Sequence, residues 1–190
     1  MEAVRFAASN KKLGMWLFIV SDSLTFAALL IGYCYLRLVS DRWPTPFGAS
    51  SIAYAVVMSA VLFASSFTMV RAVAAARRGE RSRMRPWIGA TIACGLAFLV
   101  LHLGEWRHLA GQGLTPRSIP AAWGDASQAF GAAFFGITGL HMFHVLSGVV
   151  LLGVLGLRRG GSFEDVEISG LYWQFVDVVW IFIVVLLYLL

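Results

Sequence analysis

Five long apolar runs, separated by short polar connectors, organise this chain. They cover about residues 13–36, 52–76, 86–106, 127–157 and 168–190. Crossing the hydrocarbon core of a bilayer takes roughly 20 apolar residues in helical form, and each run is long enough. A helix also satisfies its own backbone hydrogen bonds where water is absent. The pattern therefore predicts an all-α fold: a polytopic membrane bundle of five transmembrane helices forming a single transmembrane domain over residues 1–190. Pro86 opens the third run, where a helix start tolerates proline. The connectors around Trp43-Pro44-Thr45-Pro46 and over 111–124 carry turn residues, and none is large enough for an extramembrane domain. No internal repeat is visible, which argues against an inverted-repeat transporter. The first run is too long for a cleavable signal and no small-residue cleavage site follows it, so no signal peptide is expected.

Charge gives the bundle a direction. Only 13% of the residues are charged, about half of what a soluble domain carries. The net charge of +5 comes from basic residues in short connectors, a membrane-topology pattern with no nucleic-acid partner implied. Arg5, Lys11, Lys12, Arg71, Arg77, Arg78, Arg81, Arg83, Arg85, Arg158 and Arg159 fall on one side. Arg37, Arg42, Arg107 and Arg117 fall on the other. The positive-inside rule then predicts a cytoplasmic amino terminus and a periplasmic carboxyl terminus. Cys34 and Cys94 lie inside apolar runs without pairing or metal spacing and read as small buried hydrophobes.

Polar residues at membrane depth are costly and point to function or to packing. Asp22 lies about 14 Å along the first helix, at 1.5 Å per residue. Asp177 lies at a similar depth in the fifth, and His141 and His144 near the middle of the fourth. Thr138, His141, His144 and Ser147 recur every third residue as one stripe. Together with Gln174 these groups are expected to form one buried polar network, with Asp177 as the carboxylate partner of the histidines. Three readings stay open: a di-histidine metal site, a proton path through Asp22 or Asp177, and cross-helix hydrogen bonding that fixes packing. No Glu-x-x-His pair of the di-iron type is present, and no metal ligand set is assigned. His102 and Glu105 share a face at the outer end of the third helix and read as an interfacial hydrogen-bonded pair. Trp106, Trp123, Tyr172 and Trp173 near span ends read as headgroup anchors. Ala132 with Gly136, Ala60 with Ala64, and Ser65 with Ser66 read as close-approach faces.

The ordered polar and aromatic residues resemble a known family. Leu13-Gly14-Met15-Trp16-Leu17-Phe18-Ile19-Val20-Ser21-Asp22 is similar to its Gly-x-x-Leu-Phe-Ile-x-Ser-Glu. Ser65-Ser66-Phe67-Thr68 is similar to its Ser-Ser-x-Thr. His102-Leu103-Gly104-Glu105-Trp106 falls where the family has Gln-x-x-Glu and an aromatic. Phe134-Phe135-Gly136-Ile137-Thr138-Gly139-Leu140-His141-Met142-Phe143-His144-Val145 closely resembles Phe-Phe-x-x-Thr-Gly-Phe-His-Gly-Leu-His-Val. Tyr172-Trp173-Gln174-Phe175-Val176-Asp177-Val178-Val179-Trp180 closely resembles Tyr-Trp-His-Phe-Val-Asp-x-Val-Trp. The family is subunit III of haem–copper terminal oxidases, of the cytochrome c and quinol types, with a relative found beside nitric oxide reductases. The chain looks like its five-helix bacterial form, which lacks the first two of seven helices.

The resemblance implies a subunit without catalytic residues in a multi-pass bacterial inner-membrane complex. Haem and copper belong to partner subunits, with oxidase subunit I as the direct partner and subunit II and a small subunit IV nearby. Phospholipid binding and support of proton uptake are also implied, with Asp22 as the proton-handling candidate. Asp22 stands where the family has glutamate, Gln174 where it has histidine, and His102 where it has glutamine. Met142-Phe143 replaces Gly-Leu. The rival to this reading is an autonomous proton or cation transporter built on Asp22, Asp177, His141 and His144.

Overall fold

The computed structural model describes residues 10–44, 47–120, 123, 129–157 and 162–190. The fold is all-α, with helices α1 (Asn10–Val39), α2 (Ala49–Arg77), α3 (Arg81–Gly111), α4 (Ala129–Leu157) and α5 (Phe163–Ile183). A π-helical turn, Val184–Leu189, continues α5. Among the described residues, five helices are long and apolar enough to span a membrane. Arg5, Thr45, Pro46, Gly124, Arg158 and Arg159, invoked above for topology and turns, lie outside the described residues.

Two helix starts differ from the hydropathy reading. Helix α3 begins at Arg81, five residues ahead of Pro86. The chain leaves α2 through Gly79 in the left-handed region (φ 72°), where a side chain would be strained. Glu80 then caps the new helix, its carbonyl accepting from Met84 N at 3.0 Å. Proline in the second turn still costs only one backbone bond. Helix α5 begins at Phe163 instead of Ile168. Ser162 Oγ accepts from Asp165 N at 3.2 Å, and the Asp165 carboxylate accepts from Ser162 N at 3.1 Å. This capping box satisfies two donors at the helix start and was legible as Ser-x-x-Asp.

Helix α5 is the centre of the bundle. Of its most apolar stretch 56% is buried, against 17% for α1, which lies at the periphery. Phe26, Leu30 and Tyr33, spaced along a single face, are the buried residues of α1. Lys11 pairs with Asp165 and Lys12 with Glu167, each at 3.0 Å, joining the starts of α1 and α5. At the other ends the Arg37 guanidinium donates to the Leu190 carbonyl oxygen. Helices α1 and α5 therefore run parallel, while α2 and α3 form an antiparallel hairpin whose Thr68 and Thr91 hydroxyls meet at 2.8 Å.

Trp173 of α5 is the wedge that the other helices close around. Its indole lies against Gly95 of α3 and Gly148 of α4, and its Nε1 donates to Ser65 Oγ of α2 at 2.8 Å. Tyr172 and Trp173 are thus core residues, not headgroup anchors. The early start of α5 places them about 14 Å inside the helix, at 1.5 Å per residue. Ala60, Ala64, Ala132 and Gly136 face outward. The close approaches inside the bundle use Gly95 and Gly148 instead. Cys34 and Cys94 are half-buried free thiols.

A β-carbon at Gly95 would stand 2.7 Å from Trp173 Cη2 and 2.8 Å from Val149 Cγ2. Gly95→Ala is expected to destabilise the protein by about 1–3 kcal/mol through overpacking. Gly153→Ala, with nothing within 4 Å of the new methyl, is expected to be neutral or mildly stabilising. Thermal unfolding of the two variants in detergent checks the contrast.

Candidate functional site

Two carboxylates and two histidines do lie in the bundle interior, but they divide into separate pairs. Asp22 of α1 reaches across to α4, where His144 Nε2 stands 2.5 Å from Asp22 Oδ2. The other ring nitrogen, Nδ1, is 2.8 Å from the Leu140 carbonyl. A carbonyl only accepts, so Nδ1 carries a hydrogen. The contact gives Asp22 a polar neighbour at membrane depth, where an unpaired acid is costly. The pair is packed by the Phe26 ring against His144, at 5.3 Å between centroids. Beside it Tyr172 donates to the His144 carbonyl at 3.0 Å and meets Ser147 Oγ at 2.5 Å.

The second set joins α2 to α5. Trp180 Nε1 donates to Ser59 Oγ at 3.0 Å, and Trp173 Nε1 to Ser65 Oγ at 2.8 Å. Between them the Ser66 hydroxyl donates to Asp177 Oδ2 and lies 3.3 Å from Gln174 Oε1. Three hydroxyls of one helix thus meet two indoles and a carboxyl group of the other. Contrary to the expectation from sequence, Asp177 is not the partner of the histidines. It leaves from the α2-facing side of α5, and Asp22, entering from α1, takes its place at His144. His141 is fully buried and donates from Nε2 to the Val176 carbonyl at 3.2 Å. The two imidazoles of α4 thus turn to different helices and do not converge on a shared ion. Among the described residues no group of three or more histidine, cysteine, aspartate or glutamate side chains is arranged to hold a metal.

Thr138 belongs to a third contact: it accepts from Trp106 Nε1 at 3.2 Å and donates to the Phe134 carbonyl at 2.7 Å. At the far end of α3, His102 and Glu105 are not bonded to one another. Tyr188, presented by the π-helical turn, donates to Glu105 Oε2 at 2.7 Å. His102 is fully buried among Phe98, Trp106 and Trp180, and neither of its nitrogens has a hydrogen-bond partner among the described residues. The interfacial pair read from sequence is therefore two separate environments. Tyr188 lies eight positions beyond the last motif, which ends at Trp180, and only the fold brings it to Glu105.

The profile of the family described as cytochrome c oxidase subunit III matches residues 4–190. The chain belongs to the cytochrome c oxidase subunit III family. It is 36% identical over 186 residues to cytochrome c oxidase subunit 3 of Synechocystis, covering 93% of this chain and 74% of that one. It is 29% identical over 195 residues to cytochrome c oxidase subunit 3 of Alkalihalophilus pseudofirmus, covering 100% of this chain and 91% of the relative. It is 28% identical over 191 residues to cytochrome bo(3) ubiquinol oxidase subunit 3 of Pseudomonas aeruginosa, covering 97% and 87%.

In this subunit III the two most specific motifs lie on α4 and α5, and their polar members make the interhelical bonds just described. The motif reading included Ser65 and Ser66 but not Ser59, and did not identify Ser59 and Ser65 as the acceptors of the indoles. A signal was present: Trp173 and Trp180 are seven apart on α5, so they share a face. A buried indole also needs an acceptor.

The geometry predicts which carboxylate is coupled to His144. A double-mutant cycle of Asp22→Asn with His144→Gln is expected to return a coupling of about 1–2 kcal/mol. The cycle of Asp177→Asn with His144→Gln is expected to return about zero. Unfolding midpoints of the purified variants in one detergent provide the measurement.

Proposed function

We propose that this chain is the non-catalytic subunit III of an aerobic respiratory terminal oxidase. It packs on subunit I, stabilises it and supports proton uptake, with subunit II and a small subunit IV in the same complex. The observation that carries the reading is the family match over residues 4–190. Haem and copper, and with them oxygen reduction, then belong to the partner subunits. The chain's own contribution is a rigid apolar body held in a bacterial inner membrane, amino terminus in the cytoplasm and carboxyl terminus in the periplasm. That orientation is supported by the excess of arginine and lysine in the connectors of one side.

Two features of the bundle agree with a packing role. Large apolar residues such as Leu24, Ile31, Val100 and Phe143 face outward, a surface suited to lipid and to partner helices. Asp22, His144 and Asp177 are engaged with neighbouring helices, an arrangement that fixes register. Proton handling is assigned to Asp22, the membrane-depth acid that stands beside the imidazole of His144. A cytochrome c oxidase is the first reading of electron donor. The similarity to the ubiquinol oxidase subunit of Pseudomonas aeruginosa keeps a quinol oxidase as the second.

Affinity purification of the tagged chain from its own membranes in mild detergent tests the assignment. A large polytopic partner and a reduced-minus-oxidised haem spectrum are expected to accompany it, and the haem type and remaining subunits to separate the two donors. A colourless chain purified without partners would contradict the assignment.

A further inference from the structure

A cavity of about 280 Å³ opens between the start of α2 and the end of α3, lined by Ser51, Tyr54, Gly104, Glu105 and His108. Its walls are mostly apolar, and Glu105 is the acidic residue among them. Glu105 is only 6% exposed. One oxygen, Oε2, accepts from Tyr188 at 2.7 Å, while Oε1 has no hydrogen-bond partner among the described residues. A carboxylate at this depth with a single donor lacks a second donor or a cation. The π-helical turn Val184–Leu189 is what brings Tyr188 to Glu105, and π turns of this kind recur at functional sites.

The cavity's other polar atoms are of matching type. The Tyr54 hydroxyl donates to the Leu101 carbonyl at 3.1 Å, so its oxygen remains able to accept. Gly104 leaves room for that hydroxyl, since a β-carbon there would stand 3.2 Å from it. Ser51 adds a second hydroxyl, and His108, bridged to Gln112 at 3.0 Å, stands at the rim. A carboxylate with two hydroxyl oxygens in an apolar setting suits a donor-only group with several N–H bonds. The volume exceeds that of a bare metal ion and approaches that of a small organic ligand site.

Depth points the same way. Helix α3 has 31 residues. It is about 46 Å long at 1.5 Å per residue. The hydrocarbon core is about 30 Å thick, which leaves roughly 8 Å of helix beyond it at each end if the helix is centred. Glu105 lies about 9 Å from the Gly111 end, at the boundary of hydrocarbon and headgroups. We propose that the Glu105 cavity is a binding site for a primary alkylammonium group, with Glu105 as its counter-ion and the Tyr54 and Ser51 hydroxyls as further acceptors. The ammonium can be supplied by a lipid headgroup or by a free amine, and the test separates them. The site lies between α2 and α3, apart from the Asp22–His144 pair, and the proposal does not rest on the oxidase assignment.

The test uses the full chain with the subunits that accompany it, stripped of lipid, and reads binding by native mass spectrometry. Phosphatidylethanolamine and, separately, ethanolamine are titrated into wild type and Glu105→Gln. The glutamine amide oxygen still accepts from Tyr188, so the packing is kept and only the charge is lost. Phosphatidylethanolamine binding weakened about tenfold or more in Glu105→Gln, with phosphatidylglycerol unaffected, supports the site with a lipid headgroup as its ligand. The same weakening for ethanolamine alone supports it with a free amine. Equal behaviour of wild type and variant toward both probes overturns the proposal.

Discussion

A buried indole N–H or carboxyl group inside a bilayer has no water to fall back on, and the bonds that α5 exchanges with α2 are where this bundle meets that constraint. Ser59 receives Trp180, Ser65 receives Trp173, and Ser66 donates to Asp177. Sliding α5 by one residue against α2 would break these three contacts, so together they fix the register of the central helix. The remaining helices are placed by the same residues. Trp173 lies on Gly95 and Gly148, which draws α3 and α4 against α5. Helix α1 then closes the assembly from outside, through Asp22 at His144 and through two lysines at its start.

The division of polar groups into pairs bears on what the chain can do. A transport pathway needs groups that exchange partners along a route through the bundle. Here Asp22 meets His144 between α1 and α4, while Asp177 is held by Ser66 between α2 and α5. The pairs belong to different helix–helix contacts. That arrangement suits the packing role proposed for the chain.

Much of this was legible in the sequence. Length and hydropathy locate five helices to within a few residues, because spanning a bilayer is a constraint on composition as much as on fold. The depth of Asp22, His141, His144 and Asp177 follows from counting along those helices. Partner choice does not, because residues at one depth can face any of four neighbours, and for that reason Asp22, not Asp177, meets His144. The start of α5 was written in Ser162 and Asp165, a local signal that hydropathy averages away. Tyr172 and Trp173 were misplaced at the headgroups as a result. Tyr188 on Glu105 was not legible at all, since the π-helical turn that aims it has no pattern in a run of valine and leucine.

The central claim is that this chain acts through its partners and moves no ions itself. The purified chain, reconstituted alone in liposomes with a pH-sensitive dye inside and an imposed potential, tests it most directly. The account predicts proton entry equal to that of empty liposomes. A flux above that level which disappears in Asp22→Asn or Asp177→Asn would contradict it and make the chain a transporter in its own right.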